Sequence, residues 1–229
     1  MWNTEPSAIG RLVVPPDVPP GFAVFCTTRD YPGRIVPGEL TGLVRSRFGL
    51  DTSLTTCQQI HSATVVRAGR ETSWRECDSC DALWTRERGV SLAVKIADCL
   101  PIAVVDTQKN VIVNVHSGWR GAVQGITTAA LDASALDPST SMAFLGPSIR
   151  VCCFEVGEEV AAHFEERFID RSYAKPHIDL VAFTTDVLRS RGITRVSDSG
   201  LCTRCDDSIF HSYRREGPGG GRNLMIVAQ

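Results

Sequence analysis

Residues 90–121, VSLAVKIADCLPIAVVDTQKNVIVNVHSGWRG, hold three β-branched, apolar runs in quick succession. The runs 90–96, 102–106 and 111–116 read as strands, because branched side chains pack well on a pleated surface. Asn110 tolerates left-handed backbone and closes the turn between the second and third, so these two are expected as antiparallel neighbours. Gly118 then opens a helical pattern expected over 119–133. Upstream, 22–28 (FAVFCTT) reads as a buried strand, and 38–48 as a helix with Leu40, Leu43, Val44 and Phe48 on one face. Downstream, 142–145 is a strand stopped by Gly146-Pro147, while 156–168 and 180–191 read as helices, the second ended by Gly192. Residues 196–199 and 224–228 read as further strands, the last after a glycine-rich turn at 217–221. Strands and helices mix without strict βαβ alternation, which predicts an α+β fold with mixed or antiparallel sheets. Pro15, Pro16, Pro19 and Pro20 mark residues 1–20 as a lead-in. Residues 21–229 contain no linker or repeat and are expected to form a single domain.

Composition narrows the function. The chain has 229 residues, 43% hydrophobic and 22% charged, as in an ordinary globular protein. Lys and Arg total 24 against 26 Asp and Glu, a net charge of −2 that gives no footing for nucleic acid or a membrane surface. Glu5, Asp17 and the prolines are foreign to a secretory signal, and no apolar run is long enough to span a bilayer. A cytoplasmic location is therefore expected. Oligomeric state leaves no mark in the sequence. Nine cysteines, an odd number, fit reduced thiols better than a disulfide framework, which raises metal and catalytic roles.

Three segments carry the chemistry: 58–61 (QQIH), 97–101 (ADCLP) and 114–121 (NVHSGWRG). Each puts a metal-capable side chain, His61, Cys99 or His116, near an expected strand end. One thiolate and two imidazoles suit zinc, with copper as the alternative ion. Three protein ligands leave the fourth position open, as catalytic zinc requires. The plain alternative is a core cysteine and two hydrogen-bonded histidines, the commoner origin of such residues. Cys77/Cys80 and Cys202/Cys205 are two CxxC pairs that could form a second metal site if the fold brought them together. Otherwise they are unlinked thiols, and adjacent Cys152-Cys153 reads as buried packing.

QQIH, ADCLP and HSGWRG, in this order, resemble the laccase-domain (multicopper polyphenol oxidase-like) family of purine nucleoside phosphorylases and peptidoglycan editing factors. FCTTR at 25–29, DALWT at 81–85, LGP at 145–147, CCFEVG at 152–157, Cys202-Thr203, SYRR at 212–215 and Gly221-Arg222 agree with it. The resemblance implies a four-layer α/β/β/α sandwich, related to the cytotoxic necrotizing factor-like hydrolase fold, with zinc on His61, Cys99 and His116. It implies phosphorolysis of purine nucleosides (adenosine, inosine, guanosine, methylthioadenosine) with inorganic phosphate, and adenosine deamination. His61, Cys99, His116 and Asp98 are then the catalytic set, Asp98 orienting a ligand, moving a proton or capping a turn. Arg29, Arg120, Arg214 and Arg215 are the phosphate and substrate candidates, with Arg222 in reserve, because guanidinium pairs bidentately with phosphate. Two alternatives stand beside this one. In the first, Cys99 is the nucleophile and His116 the base of a cysteine amidohydrolase that edits a peptidoglycan precursor. In the second, the chain is a non-enzymatic metal-binding module. Two departures from the family pattern are Asp30-Tyr31-Pro32-Gly33, in place of a glycine-rich segment, and Ser62 after the QxH histidine. A laccase mechanism needs a blue-copper site and a histidine-rich trinuclear cluster, and this chain has five histidines.

Overall fold

The computed structural model describes residues 1–71 and 74–229. Most strands fall into two mixed sheets. The larger runs in the order Asn3–Glu5, Leu12–Val14, Ala23–Thr27, Asn223–Ala228, Val90–Ile96, Ser53–Cys57, Trp74–Cys77. The smaller runs Arg195–Asp198, Ser141–Leu145, Leu100–Asp106, Val111–Ser117, Ala82–Thr85, Val65–Arg67. Both mix pairings: Ser53–Cys57 is parallel to its two neighbours, and Ser141–Leu145 is parallel to Arg195–Asp198. The expected antiparallel pair is present, with Val111 opposite Asp106 and His116 opposite Pro101.

Side-chain alternation sorts each strand between two environments. Val24, Cys26, Leu92, Val94, Met225 and Val227 of the larger sheet meet Ala103, Val105, Ile112 and Phe144 of the smaller one in a shared apolar cluster. The intervening Phe25, Ala93, Leu224 and Ile226 pack with Leu40, Leu43 and Val44 of the helix Pro37–Phe48. The alternate faces of the smaller sheet, with Ile102, Val104, Val113 and Val115, are covered by Ile126, Ala130 and Leu131 of the helix Ile126–Ser134 and by Leu180 and Leu188 of the helix Leu180–Ser190. Asn114 sends its amide across, donating to the carbonyls of Leu92 and Met225 at 2.9 Å each.

Several expectations need correction. Residues 1–20 are not a lead-in: they supply two strands of the larger sheet, and Trp2 is 5% exposed, its indole N–H donating to Ser197 Oγ. The predicted helix over 119–133 is two helices, Trp119–Val123 and Ile126–Ser134, broken where Gly125 takes φ 81°. Residues 156–168 hold one short helix, Glu158–Ala161, and a 3-10 turn, Glu166–Phe168. The first and second strands of the 90–116 segment lie in different sheets, so residues 97–99 form a crossover between them.

Candidate functional site

That crossover carries Cys99. Its partner His116 stands near the end of Val111–Ser117, opposite Pro101 and so two register positions from Cys99. His61 comes from the loop after Ser53–Cys57, in the left-handed conformation at φ 60°. One nitrogen or sulfur from each of the three lies within 4.8 Å of the others, and Cys99 Sγ is 3.7 Å from His61 Nε2. His116 is buried, Cys99 partly so, and His61 exposed, so the set opens to solvent on one side. Gly118 is needed for this approach. A Cβ there would lie 2.9 Å from both Cys99 Sγ and His61 Cδ2, closer than non-bonded atoms tolerate.

Asp81, fully buried, organises the cluster. Its Oδ1 lies 2.9 Å from His116 Nδ1, and the carboxylate accepts the backbone N–H groups of Ile60, His61 and Ser62. Ser62 Oγ adds a bond of 2.8 Å, which builds this serine into the loop. Burial opposes the Asp81 charge, but the His116 and Ser62 hydrogen bonds outweigh it and hold the carboxyl well below the usual range. Burial likewise opposes charge on Cys99 and on His116. Their mutual attraction, with His61 and Asp81, overcomes it and moves the thiol down to about 6 and the imidazole up to about 9. Both shifts favour a thiolate–imidazolium pair when no metal is bound.

The three side chains line a cavity of about 620 Å³, within the size range of small-molecule sites. Lys95, Arg120, Arg214 and Arg222 supply positive charge to its walls, Ile149, Phe154 and Tyr213 apolar and aromatic surface, and Gln58 and Gln59 amides. The family model described as "Multi-copper polyphenol oxidoreductase laccase" matches residues 38–229. The chain belongs to this family. Among its relatives, an adenosine deaminase from an unknown prokaryotic organism is 34% identical over 86% of this chain and 84% of its own. A purine nucleoside phosphorylase of Streptomyces coelicolor is 32% identical over 79% and 78%. A solved protein of Neisseria meningitidis superposes with a TM-score of 0.78 at 25% identity, covering 99% of this chain and 98% of that one. YlmD of Geobacillus stearothermophilus gives 0.80 at 23% over the same shares, a likeness of fold.

The arginines of this laccase-family chain divide in two. Arg120 and Arg214 reach the cavity, as does Arg222. Arg29 and Arg215 do not line it. The Arg29 guanidinium donates to the carbonyl of Asp207 and faces Glu216 at 3.6 Å. Arg215 donates to the carbonyls of Thr203, Arg204 and Phe210 and to Glu216. Both tie loops together away from the cavity, whereas Arg214 and Arg222 line it while also donating to the carbonyls of Glu155 and of Gly220 and Gly221. Asp98 lines the cavity at φ 90°, with Oδ1 accepting from Thr203 Oγ1 and Oδ2 from the Arg214 N–H, each at 2.6 Å. Asp81, Lys95, Phe154 and Tyr213 were not singled out by sequence. The one signal for Asp81 was an acidic residue opening the DALWT segment.

The two CxxC pairs do not meet. Cys77 and Cys80 are buried in the cluster between the sheets with Cys57. Cys202 and Cys205 lie instead against Cys152 and Cys153. Among the described residues, no helix is long and apolar enough to cross a membrane.

Proposed function

We propose that this chain is a zinc-dependent purine nucleoside phosphorylase that also deaminates adenosine. The reading is supported by one cavity that joins a Cys-His-His donor set to three arginines, in a chain whose relatives bear those two activity names. His61, Cys99 and His116 would hold the ion, with Asp81 fixing His116 through Nδ1 and leaving Nε2 free. The donor chemistry fits zinc, and the room that Gly118 leaves beside Cys99 and His61 fits a ligand cluster closing on one ion. Zinc, when bound, supplies a Lewis acid next to the substrate.

Phosphate belongs with Arg120, Arg214 and Arg222, whose guanidinium forks match its oxygens and set it against the sugar. Phe154 and Tyr213 offer faces for the purine. Asp98 positions the Arg214 wall through its two hydrogen bonds. The succession of Pro37–Phe48, larger sheet, smaller sheet and the Ile126–Ser134 and Leu180–Ser190 helices supports the four-layer α/β/β/α sandwich, related to the cytotoxic necrotizing factor-like fold. It also supports one domain, which takes in residues 1–20 as well.

The test is phosphate-dependent release of free base from adenosine or inosine by the purified, metal-analysed protein. Arg120→Ala and Arg214→Ala should each slow phosphorolysis roughly ten- to hundredfold, the worth of a charge-assisted hydrogen bond. Deamination, which consumes water instead of phosphate, should suffer less. Base release indifferent to phosphate would overturn the phosphorylase reading.

One observation favours a second reading, a cysteine amidohydrolase acting on a peptidoglycan precursor. Cys99, His116 and Asp81 form a thiolate–imidazole–carboxylate series. Phosphate-independent amide cleavage that survives chelation and stops on alkylation of Cys99 would establish it.

A further inference from the structure

We propose a second metal site in this chain, a structural tetrathiolate centre formed by Cys152, Cys153, Cys202 and Cys205 and suited to zinc. All four sulfur atoms lie within 4.8 Å of one another. Cys152 Sγ is 3.6 Å from Cys153 Sγ, 3.8 Å from Cys202 Sγ and 3.8 Å from Cys205 Sγ, and Cys153 Sγ is 3.3 Å from Cys205 Sγ. A tetrahedral ion with metal–sulfur bonds of about 2.3 Å sets its ligands about 3.8 Å apart. The observed spacing is therefore that of a ligand shell, and sulfur-only tetrahedra select zinc or iron. Zinc needs no change of oxidation state to bind.

The backbone explains why four cysteines from two distant segments converge. Ser141–Leu145 and Arg195–Asp198 are adjacent parallel strands, so the loops after them leave the sheet at the same edge. Ser148 and Cys202 form a parallel bridge, and the Thr203 N–H donates to the Ser148 carbonyl at 3.0 Å. Within the second loop, the Asp206 carboxylate accepts the Cys202 N–H at 3.1 Å, and the Asp206 N–H returns to the Cys202 carbonyl at 3.0 Å. The CxxC turn is thus held by its own peptide groups. Cys153 and Cys202 are buried, and Cys152 and Cys205 are exposed, which gives an ion a route in from solvent. Arg204, between Cys202 and Cys205 in sequence, places a positive charge next to Cys153.

The site lies apart from His61, Cys99 and His116 but fastens the same cavity. Ile149 and Phe154, on either side of the Cys152-Cys153 pair, line its wall. The Ile149 N–H donates to the Asp98 carbonyl, and Thr203 Oγ1, next to Cys202, donates to the Asp98 carboxylate. An ion on the four sulfurs would cross-link the two loops that grip Asp98.

The experiment is metal analysis of the full chain loaded with zinc, purified under reducing conditions, as wild type, Cys202→Ser/Cys205→Ser and Cys99→Ser. The double variant should lose one equivalent that Cys99→Ser keeps. Cobalt loading should give an intense thiolate charge-transfer band that persists in Cys99→Ser and vanishes in the double variant. Should the double variant fail to fold, the wild type decides: zinc should shield Cys152 and Cys205 from maleimide, and a chelator should expose them, as read by peptide mass spectrometry. A wild type with one equivalent, kept by Cys99→Ser, would support this site and refute metal at His61, Cys99 and His116. Full reactivity of Cys152 and Cys205 in the zinc-loaded chain would overturn the proposal. So would a Cys153–Cys205 disulfide in that preparation, or a double variant that retains every equivalent.

Discussion

Asp81 makes five contacts with a single buried carboxylate, and those contacts set both the loop that carries His61 and the ring of His116. Asp81→Asn keeps the size and removes the charge, turning one oxygen into a donor that faces N–H groups. Metal affinity at the cluster should fall about 10- to 100-fold, the usual effect of losing a histidine's carboxylate partner. Competition with a chromophoric chelator measures it, and unchanged affinity would separate Asp81 from the site. Cys99 makes a prediction about pH. A free thiol titrates near 8.5, and this one is lowered to about 6. The thiolate is the nucleophile, so alkylation of Cys99 in the metal-free chain should rise with pH through about 6 and level off by neutrality. A midpoint near that of a free thiol, in site-resolved mass spectrometry, would remove the imidazolium pairing. The three candidate ligands were legible in the sequence because each is a metal-capable residue beside a strongly patterned strand. Asp81 was not, because nothing in sequence distinguishes a carboxylate that will be buried from one that will be solvated. That Arg29 and Arg215 do not line the cavity was hidden for the same reason: a guanidinium near a motif looks the same whether or not it reaches a cavity.

Among the elements, the patterns that read correctly were those with a strong local signature. Val90–Ile96, Leu100–Asp106 and Val111–Ser117 are β-branched, apolar runs buried almost throughout. Leu180–Ser190 has an apolar face and a defined start, where Asp179 Oδ1 accepts the Ala182 N–H at 2.8 Å. Asp179→Ala should cost about 1 kcal/mol in urea unfolding, and a loss under a few tenths would mean water replaces the cap. Elements that went unread have physical excuses. Ser53–Cys57 is SLTTC, buried throughout yet polar at most positions, so no hydrophobic period announces it. The break in the 119–133 helix rests on Gly125 alone, and an isolated glycine is compatible with a continuous helix. The assignment of consecutive strands to different sheets is invisible locally, because the residues 97–99 that make the switch resemble any tight connection.

At the scale of the molecule, the two sheets are joined by polar contacts as well as apolar packing. Asn114 bonds the carbonyls of Leu92 and Met225 across the interface between them. Asn114→Ala should destabilise the fold by about 1–3 kcal/mol, the cost of leaving buried partners unsatisfied. Calorimetry checks it, and a neutral result would assign the interface to apolar burial alone. Proline content made residues 1–20 look peripheral, yet Trp2 is locked against Ser197, a pairing that no local pattern could announce. The strand Asn223–Ala228 sits between Ala23–Thr27 and Val90–Ile96, bonded to both. Synthesis runs from the amino end, so this bridging strand is made after every other strand of its sheet. Before then, the amino-terminal strands have no connection to the rest of their sheet, and two edges stand open to any passing strand. Closure of the sheet therefore waits for residues 223–228, and it joins residues about two hundred positions apart, a long-range pairing of the kind that folds slowly. Until that strand is in place, the open edges are the part of this sheet most exposed to aggregation.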